Sequence, residues 1–183
     1  MNDELRLLFE ADQAERIGHP QYGTPEYWAL RERDQRRRVR VTEIITSGGC
    51  TTAEDFYQAA LIFQHGDEIE EIAQAHQLAK QSADLGHAPA RWLAAASFDR
   101  WLMYQGQPQK YGTQFVPDGK RYRLWDVDPN TTDAERAAWN VPSLAEQLER
   151  AEEINRAGEP MPPMDDAPQW LKDAIRRWES TET

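Results

Sequence analysis

Apolar residues recur at three- and four-residue intervals along most of this chain, the period of a helix with one buried face. The first such stretch, residues 1–15, carries Leu5, Leu8 and Phe9 and is broken by "IGHPQYG". A long helix over Pro25–Thr46 follows, with Thr24 as its N-cap and Pro25 at the first helical position. The glycines of "SGG" stop it. Further helices are predicted over Ala53–Gln64, capped by Thr51 or Thr52, over 67–85, capped by Asp67 with Glu70 three residues on, and over Pro89–Tyr104.

The helical period ends there. "TQFVPDGKRYRLWDV" places two short segments around a strong turn signal, so residues 113–127 are predicted as a hairpin. Two more helix starts follow, Thr132 with Glu135 and Ser143 with Glu146, each a capping-box pattern. The Pro-rich "AGEPMPPMDDAP" reads as a linker to a last helix in "QWLKDAIRRWES". The fold class expected is mainly α: a compact helical bundle with a small β-hairpin after the fourth long helix. Residues 1–155 are expected as one helical domain, and 156–183 as a linker with a docked C-terminal helix.

Charge narrows the function classes. The formal net charge is -11, and from Asp126 onward fourteen acidic residues face six basic ones. Generic nucleic-acid binding does not suit that balance. Six arginines stand between Arg31 and Arg40, but acidic residues interleave them, which points to a solvated, ion-paired face. No apolar run approaches the ~20 residues of a membrane span, and the acidic start is not a signal peptide. Cys50 is the only cysteine, which excludes a disulfide within the chain. At a helix start its thiol would be activated, one route to a nucleophile. A cytoplasmic monomer or homodimer is the expectation.

Candidate chemistry lies where polar residues fall on apolar faces. Ile69, Ile72, His76 and Ala83 share one helical face, and Trp92, Ala96, Asp99 and Met103 share another. His76 and Asp99 are therefore expected inward and within hydrogen-bonding reach, either fixing helix register or acting as a general base and its orienting acid. Arg100 neighbours the same face as an alternative charge partner. His65 precedes a break at Gly66 and joins the site only if the chain folds back; His87 sits at a turn, and His19 in a loop beside Pro20. Metal binding at His76 is a third alternative, although the His65–His76 spacing is not a metal-ligand signature, and the cofactor is left open.

The stretch 106–115, "GQPQKYGTQF", concentrates polar groups behind the helix that carries Asp99. Lys110 is a candidate anion binder beside Asp99, Tyr111 a proton donor or acceptor, and Gln109 and Gln114 readers of a polar ligand. Gly112 lets a backbone approach closely. The bland alternative is that these side chains satisfy the backbone of an irregular loop.

Two resemblances attach to these residues. Residues 75–106, two Ala-rich helices around a Gly turn, resemble one unit of the Sel1-like, tetratricopeptide-related repeats; one unit cannot make a solenoid. "LIFQHG", "AHQLAKQSADLG" and "ARWLAAASFDRWLMYQGQPQKYGTQF" resemble a family of uncharacterised bacterial proteins with a QKYGTQ motif. That resemblance spans about residues 31–155. It implies a shared polar site at His65, His76, Asp99, Arg100, Gln109, Lys110, Tyr111, Gly112 and Gln114, and supplies no chemistry. The resulting expectation is a small cytoplasmic enzyme of acid-base or hydrolytic type acting on a small metabolite or peptide. His76, Asp99 and Tyr111 would be catalytic, and His65, Arg100, Gln109, Lys110 and Gln114 would bind substrate. The competing expectation is a helical peptide- or protein-binding module without catalysis.

Overall fold

A computed structural model describes every residue except His19, Glu159, Glu182 and Thr183. The elements run α1 (Asp3–Arg16), α2 (Pro25–Thr46), α3 (Ala53–Gln64), α4 (Ile69–Asp84), α5 (Pro89–Tyr104), β1 (Phe115–Pro117), β2 (Tyr122–Leu124), α6 (Asp133–Ala138), α7 (Leu144–Ala157) and α8 (Gln169–Thr181). The fold is mainly α with one antiparallel two-stranded hairpin, in which Phe115 pairs with Leu124 and Pro117 with Tyr122. No helix among the described residues is long and apolar enough to cross a membrane.

The chain forms two compact units, Met1–Ser97 and Phe98–Thr183, dividing within α5. In the first, α3 and α4 pack most extensively on each other, and α1 lies against α2 and α3. Their shared core holds Leu5, Leu30, Val41, Ile62, Ile72, Ala75 and Leu78. Small residues at Ala59, Ala60, Ala75 and Ala79 are fully buried, and small side chains allow close helix approach. In the second unit, Met103, Val116 and Trp125 pack with Leu171, Ala174 and Trp178 of α8. Trp125 stands edge-on to both Trp170 and Trp178, at centroid distances of 5.4 Å. The last helix is thus held by aromatic burial in the second unit's core.

Local chemistry explains the helix starts. Thr24, Thr52, Thr132 and Ser143 each accept the backbone N–H three residues on. At α4 the start falls one residue later than expected. Glu68 is the cap and Glu71, not Glu70, completes the box. Two contacts explain the shift. Asp67 turns away to pair with Arg31. Glu71 reaches back so closely that a Cβ at position 66 would overlap its Oε2 and lie 2.7 Å from its Cβ. Only glycine leaves room there.

Candidate functional site

Asp99 is fully buried, as its place on the α5 face predicts, but Trp92 on the same expected face is exposed. The polar stretch after α5 closes around Asp99. The amides of Lys110 and Tyr111 donate to its Oδ1, each at 2.8 Å. The amide and hydroxyl of Thr113 donate to Oδ2 at 3.0 and 2.9 Å. Both oxygens are filled, three of the four donors being backbone. Burial pushes the Asp99 carboxyl above its ordinary value, opposed by the donors from Tyr111, Thr113 and Lys110.

The chain reaches this position through a tight helix end. Gly106, with φ +69°, takes the left-handed conformation, and its amide donates to the Met103 carbonyl while that of Gln107 donates to Leu102. This is the Schellman pattern. Gln109 then acts as a strand substitute. It is fully buried, and its Nε2 donates to the carbonyls of Trp125 and Gln114 at 2.9 and 3.2 Å while its Oε1 accepts the Gln114 amide at 2.8 Å. Its own backbone bonds to Asp126 and Asp128. Gly112 adopts φ +89°, which brings Thr113 back onto Asp99. The Gln114 side chain donates to the Thr113 hydroxyl at 3.0 Å.

Of the expected ligand readers, Gln109 therefore reads its own loop's backbone and Gln114 meets the Thr113 hydroxyl. Lys110 meets Asp99 through its amide, and its ammonium lies instead 3.8 Å from Glu135. The expected charge pair between Lys110 and Asp99 is corrected accordingly. The Tyr111 ring is mostly buried, packed edge-on to Phe98 and tilted against Trp139. Burial, with the charges of Asp99 and Glu135, pushes its phenol up, so tuning toward a base at neutral pH is not what this site provides. The Tyr111 carbonyl accepts from Nε of Arg136, which is almost completely buried and also donates to the Thr131 carbonyl and to Asp133. Arg136 is the residue that sequence reasoning missed. Its signal was present as an arginine one helical turn after the Thr132 cap. Arg100 donates to the Tyr104 hydroxyl at 3.0 Å and lies over that ring.

The remaining expected members lie in the first unit. His76 holds its Nδ1 2.9 Å from the Ala94 carbonyl. A carbonyl only accepts, so Nδ1 carries the hydrogen. Burial lowers the His76 pKa, the Ala94 bond opposes this, and Lys80 adds to the lowering, so the ring is neutral at pH 7. His65 does fold back, to a different carboxylate. Its Nδ1 lies 3.0 Å from Oδ2 of Asp12, and Asp12 is buried.

That pair belongs to a charge network among α1, α2 and the end of α3. Asp34, buried, receives Arg16 at 2.8 Å and Arg37 at 3.0 Å, with Arg31 at 3.4 Å; Arg16 also reaches Asp12 at 2.9 Å. All six arginines of α2 have carboxylate partners: Arg33 and Arg37 on Glu15, Arg36 on Glu32, Arg38 on Glu71, Arg40 on Glu4 and Glu43, and Arg31 on Asp34 and Asp67. The run is not one solvated face, since Arg37 and Arg38 are buried against these acids. Burial pushes Asp12 up, but His65 and Arg16 outweigh it and hold the carboxyl below its ordinary value.

Two other expectations resolve. Burial and the Asp55 charge push the Cys50 thiol up to about 11, the reverse of activation. His87 packs on the Tyr57 ring at 4.6 Å and lies 3.5 Å from Glu54. The expectation for His19 lies outside the described residues. Among the described residues no group of three or more His, Cys, Asp or Glu side chains is placed to hold a metal ion.

The exposed surface of the first unit carries a different feature. At the start of α2 the rings of Tyr27 and Trp28 gather with that of Tyr22, in the connection from α1, at centroid distances of 5.1 to 6.1 Å and interplanar angles of 57 to 81°. Tyr22 is 47% and Trp28 53% exposed, and Ile17, in the same connection, is 86% exposed. Compared with protein-family models, curated proteins and solved structures, the chain matches none.

Proposed function

We propose that this chain is a helical binding module without catalysis of its own, and that the aromatic corner of Tyr22, Tyr27 and Trp28 is its contact surface. The observation that carries this reading is the solvent exposure of clustered aromatic rings. Exposed Tyr and Trp side chains supply large contact area at small entropic cost, and contact hot spots are enriched in them. The catalytic alternative loses support because groups expected in the site are spent on backbone: of the catalytic candidates, Asp99 on three amides and His76 on Ala94, and of the substrate binders, Gln109 on carbonyls and an amide. We place the module in the cytoplasm, as a monomer or homodimer, with a peptide or protein as its ligand and neither nucleic acid nor membrane as partner.

The test is site-directed photo-crosslinking in the native host. A photoreactive residue replaces Tyr22 in one protein and exposed Leu85 in another. The expected result is a discrete adduct at position 22 that disappears with Trp28→Ala and is reproduced by calorimetry with the purified partner. Equal, diffuse labelling at both positions would overturn the reading.

A second reading keeps one observation. His65 on buried Asp12 is a histidine oriented by a carboxylate, the arrangement an acid-base or hydrolytic enzyme uses. Under that reading His65→Gln abolishes turnover of a small metabolite or peptide while the melting temperature holds.

A further inference from the structure

We infer that the occupant of the aromatic corner is a basic segment, one that sets an arginine or lysine side chain against the exposed rings of Tyr22 and Trp28. This rests on the binding-module reading and adds the chemistry of the partner to it.

Three observations support a cationic occupant. The first is ring geometry. The Tyr27–Trp28 pair meets at 81° and the two pairs involving Tyr22 at 60 and 57°, so none is stacked face to face. The Tyr22 and Trp28 side chains are 47% and 53% exposed, so these rings remain accessible within the cluster. Ring faces carry the negative end of the aromatic quadrupole and attract ammonium and guanidinium groups. The second is the field around the corner. The first unit has sixteen acidic residues against ten basic ones. Nine of those ten cations are ion-paired to carboxylates inside the unit, Arg91 being the exception among the described residues. The surplus charge is therefore carboxylate, which steers a basic partner inward and repels an acidic one. The third is local. Glu26, beside Tyr27 on the first turn of α2, is exposed and has no ion pair among the described residues. Glu32, one turn after Trp28, meets only Arg36 among the described residues, across 3.3 Å of exposed surface. Arg31, the cation nearest Trp28 in sequence, is committed to Asp34 and Asp67.

The segment needs no fixed sequence on these grounds. It needs a side-chain cation to lie on the rings.

The experiment uses the full chain labelled with 5-fluorotryptophan and followed by fluorine NMR. Trp28 is assigned as the resonance lost in Trp28→Phe. Three probes share one glycine-spaced scaffold with a single leucine and carry three arginines, three lysines or three citrullines. Citrulline keeps the shape of arginine and removes its charge. The expected result is that the arginine and lysine peptides shift the Trp28 resonance, and that citrulline weakens binding by about threefold or more, the range expected of an exposed cation–π contact. Glu26→Gln weakens the arginine peptide and leaves the citrulline peptide unchanged. In calorimetry, which does not depend on the Trp28 resonance, Trp28→Ala weakens the arginine peptide by about threefold or more on a protein whose circular dichroism is intact.

Equal binding of all three peptides overturns the cationic occupant and leaves the docking surface standing. Arginine binding that survives Trp28→Ala unchanged also overturns it, because the attraction is then general charge and not the rings. No shift from any peptide overturns it as well, and crosslinking at position 22 then decides the binding-module reading by itself.

Discussion

The two units each bury carboxylates, and they neutralise them in different ways. In the first, Asp12 and Asp34 are met by side chains: Arg16, Arg31, Arg37 and His65. In the second, Asp99 is met by the polypeptide itself, through the amides of Lys110, Tyr111 and Thr113 with the Thr113 hydroxyl. Arginines on flexible stems can exchange partners. Amides in one folded loop cannot. The first solution is redundant and distributes charge over three helices. The second makes a single side chain the template on which an irregular loop is built.

This difference predicts unequal damage when each carboxylate is removed. Asp99→Ala leaves three amides without an acceptor in a buried site. An unsatisfied buried donor costs about 1–3 kcal/mol, so a loss of about 3–5 kcal/mol is expected. In Asp12→Ala, Arg16 retains Asp34, so about 1–2 kcal/mol is expected. Urea unfolding of both variants measures the gap. Hydrogen exchange should show protection at Lys110, Tyr111 and Thr113 collapsing only with Asp99→Ala. Equal losses would mean that the amide cradle is no more dependent on its acid than the arginine network is.

The second prediction concerns pH. Asp12 is held below its ordinary value despite burial, by His65 and Arg16. Its stabilising share is complete above the ordinary value, ~3.9, and is lost as pH falls through the depressed folded value. Asp99 is pushed above its ordinary value by burial, against its donors. Its share is complete below the ordinary value and is lost as pH rises through the raised folded value. Carboxyl carbon NMR should therefore find Asp12 titrating at lower pH than Asp99. The reverse order would show amide donors outweighing burial, and would sharpen the contrast in favour of the backbone.

Much of the scaffold was legible because it is written locally. Thr24 with Pro25, Thr132 with Glu135 and Ser143 with Glu146 cap helices where their spacing says they should. The "PDG" turn closes the hairpin it announces, with Asp118 accepting the amides of Lys120 and Arg121. What was not legible was which distant groups a polar side chain meets. His65 and Asp12 are 53 residues apart, and helical periodicity gives a face without giving its neighbour. The α4 cap moved by one residue because Asp67 is drawn to Arg31, 36 residues away. The 106–115 stretch stands out by its composition, and the short connection from α5 brings its amides onto Asp99. Composition alone does not separate a side chain that offers hydrogen bonds to a ligand from one that spends them on the backbone. Gln109 is the clearest case, since an amide side chain mimics the peptide group it replaces.

The smallest effect expected is the one that separates the loop's backbone from its side chains. Lys110 contributes its amide to Asp99 at 2.8 Å, and any residue other than proline supplies that amide. Its ammonium lies 3.8 Å from Glu135 with both side chains substantially exposed, a geometry in which an ion pair contributes little. The ammonium also stands 5.5 Å from the Tyr111 ring centroid, an exposed cation–π contact of similar modest weight. Lys110→Met keeps the amide and the aliphatic stem and removes only the charge. It should change unfolding stability by less than about 1 kcal/mol, and leave exchange protection at Tyr111 and Thr113 intact. Lys110→Pro, in contrast, deletes the donor and should behave as a partial Asp99→Ala. If Lys110→Met is as damaging as Lys110→Pro, the ammonium rather than the amide holds the loop, and the contrast between a side-chain solution and a backbone solution fails at its most direct test.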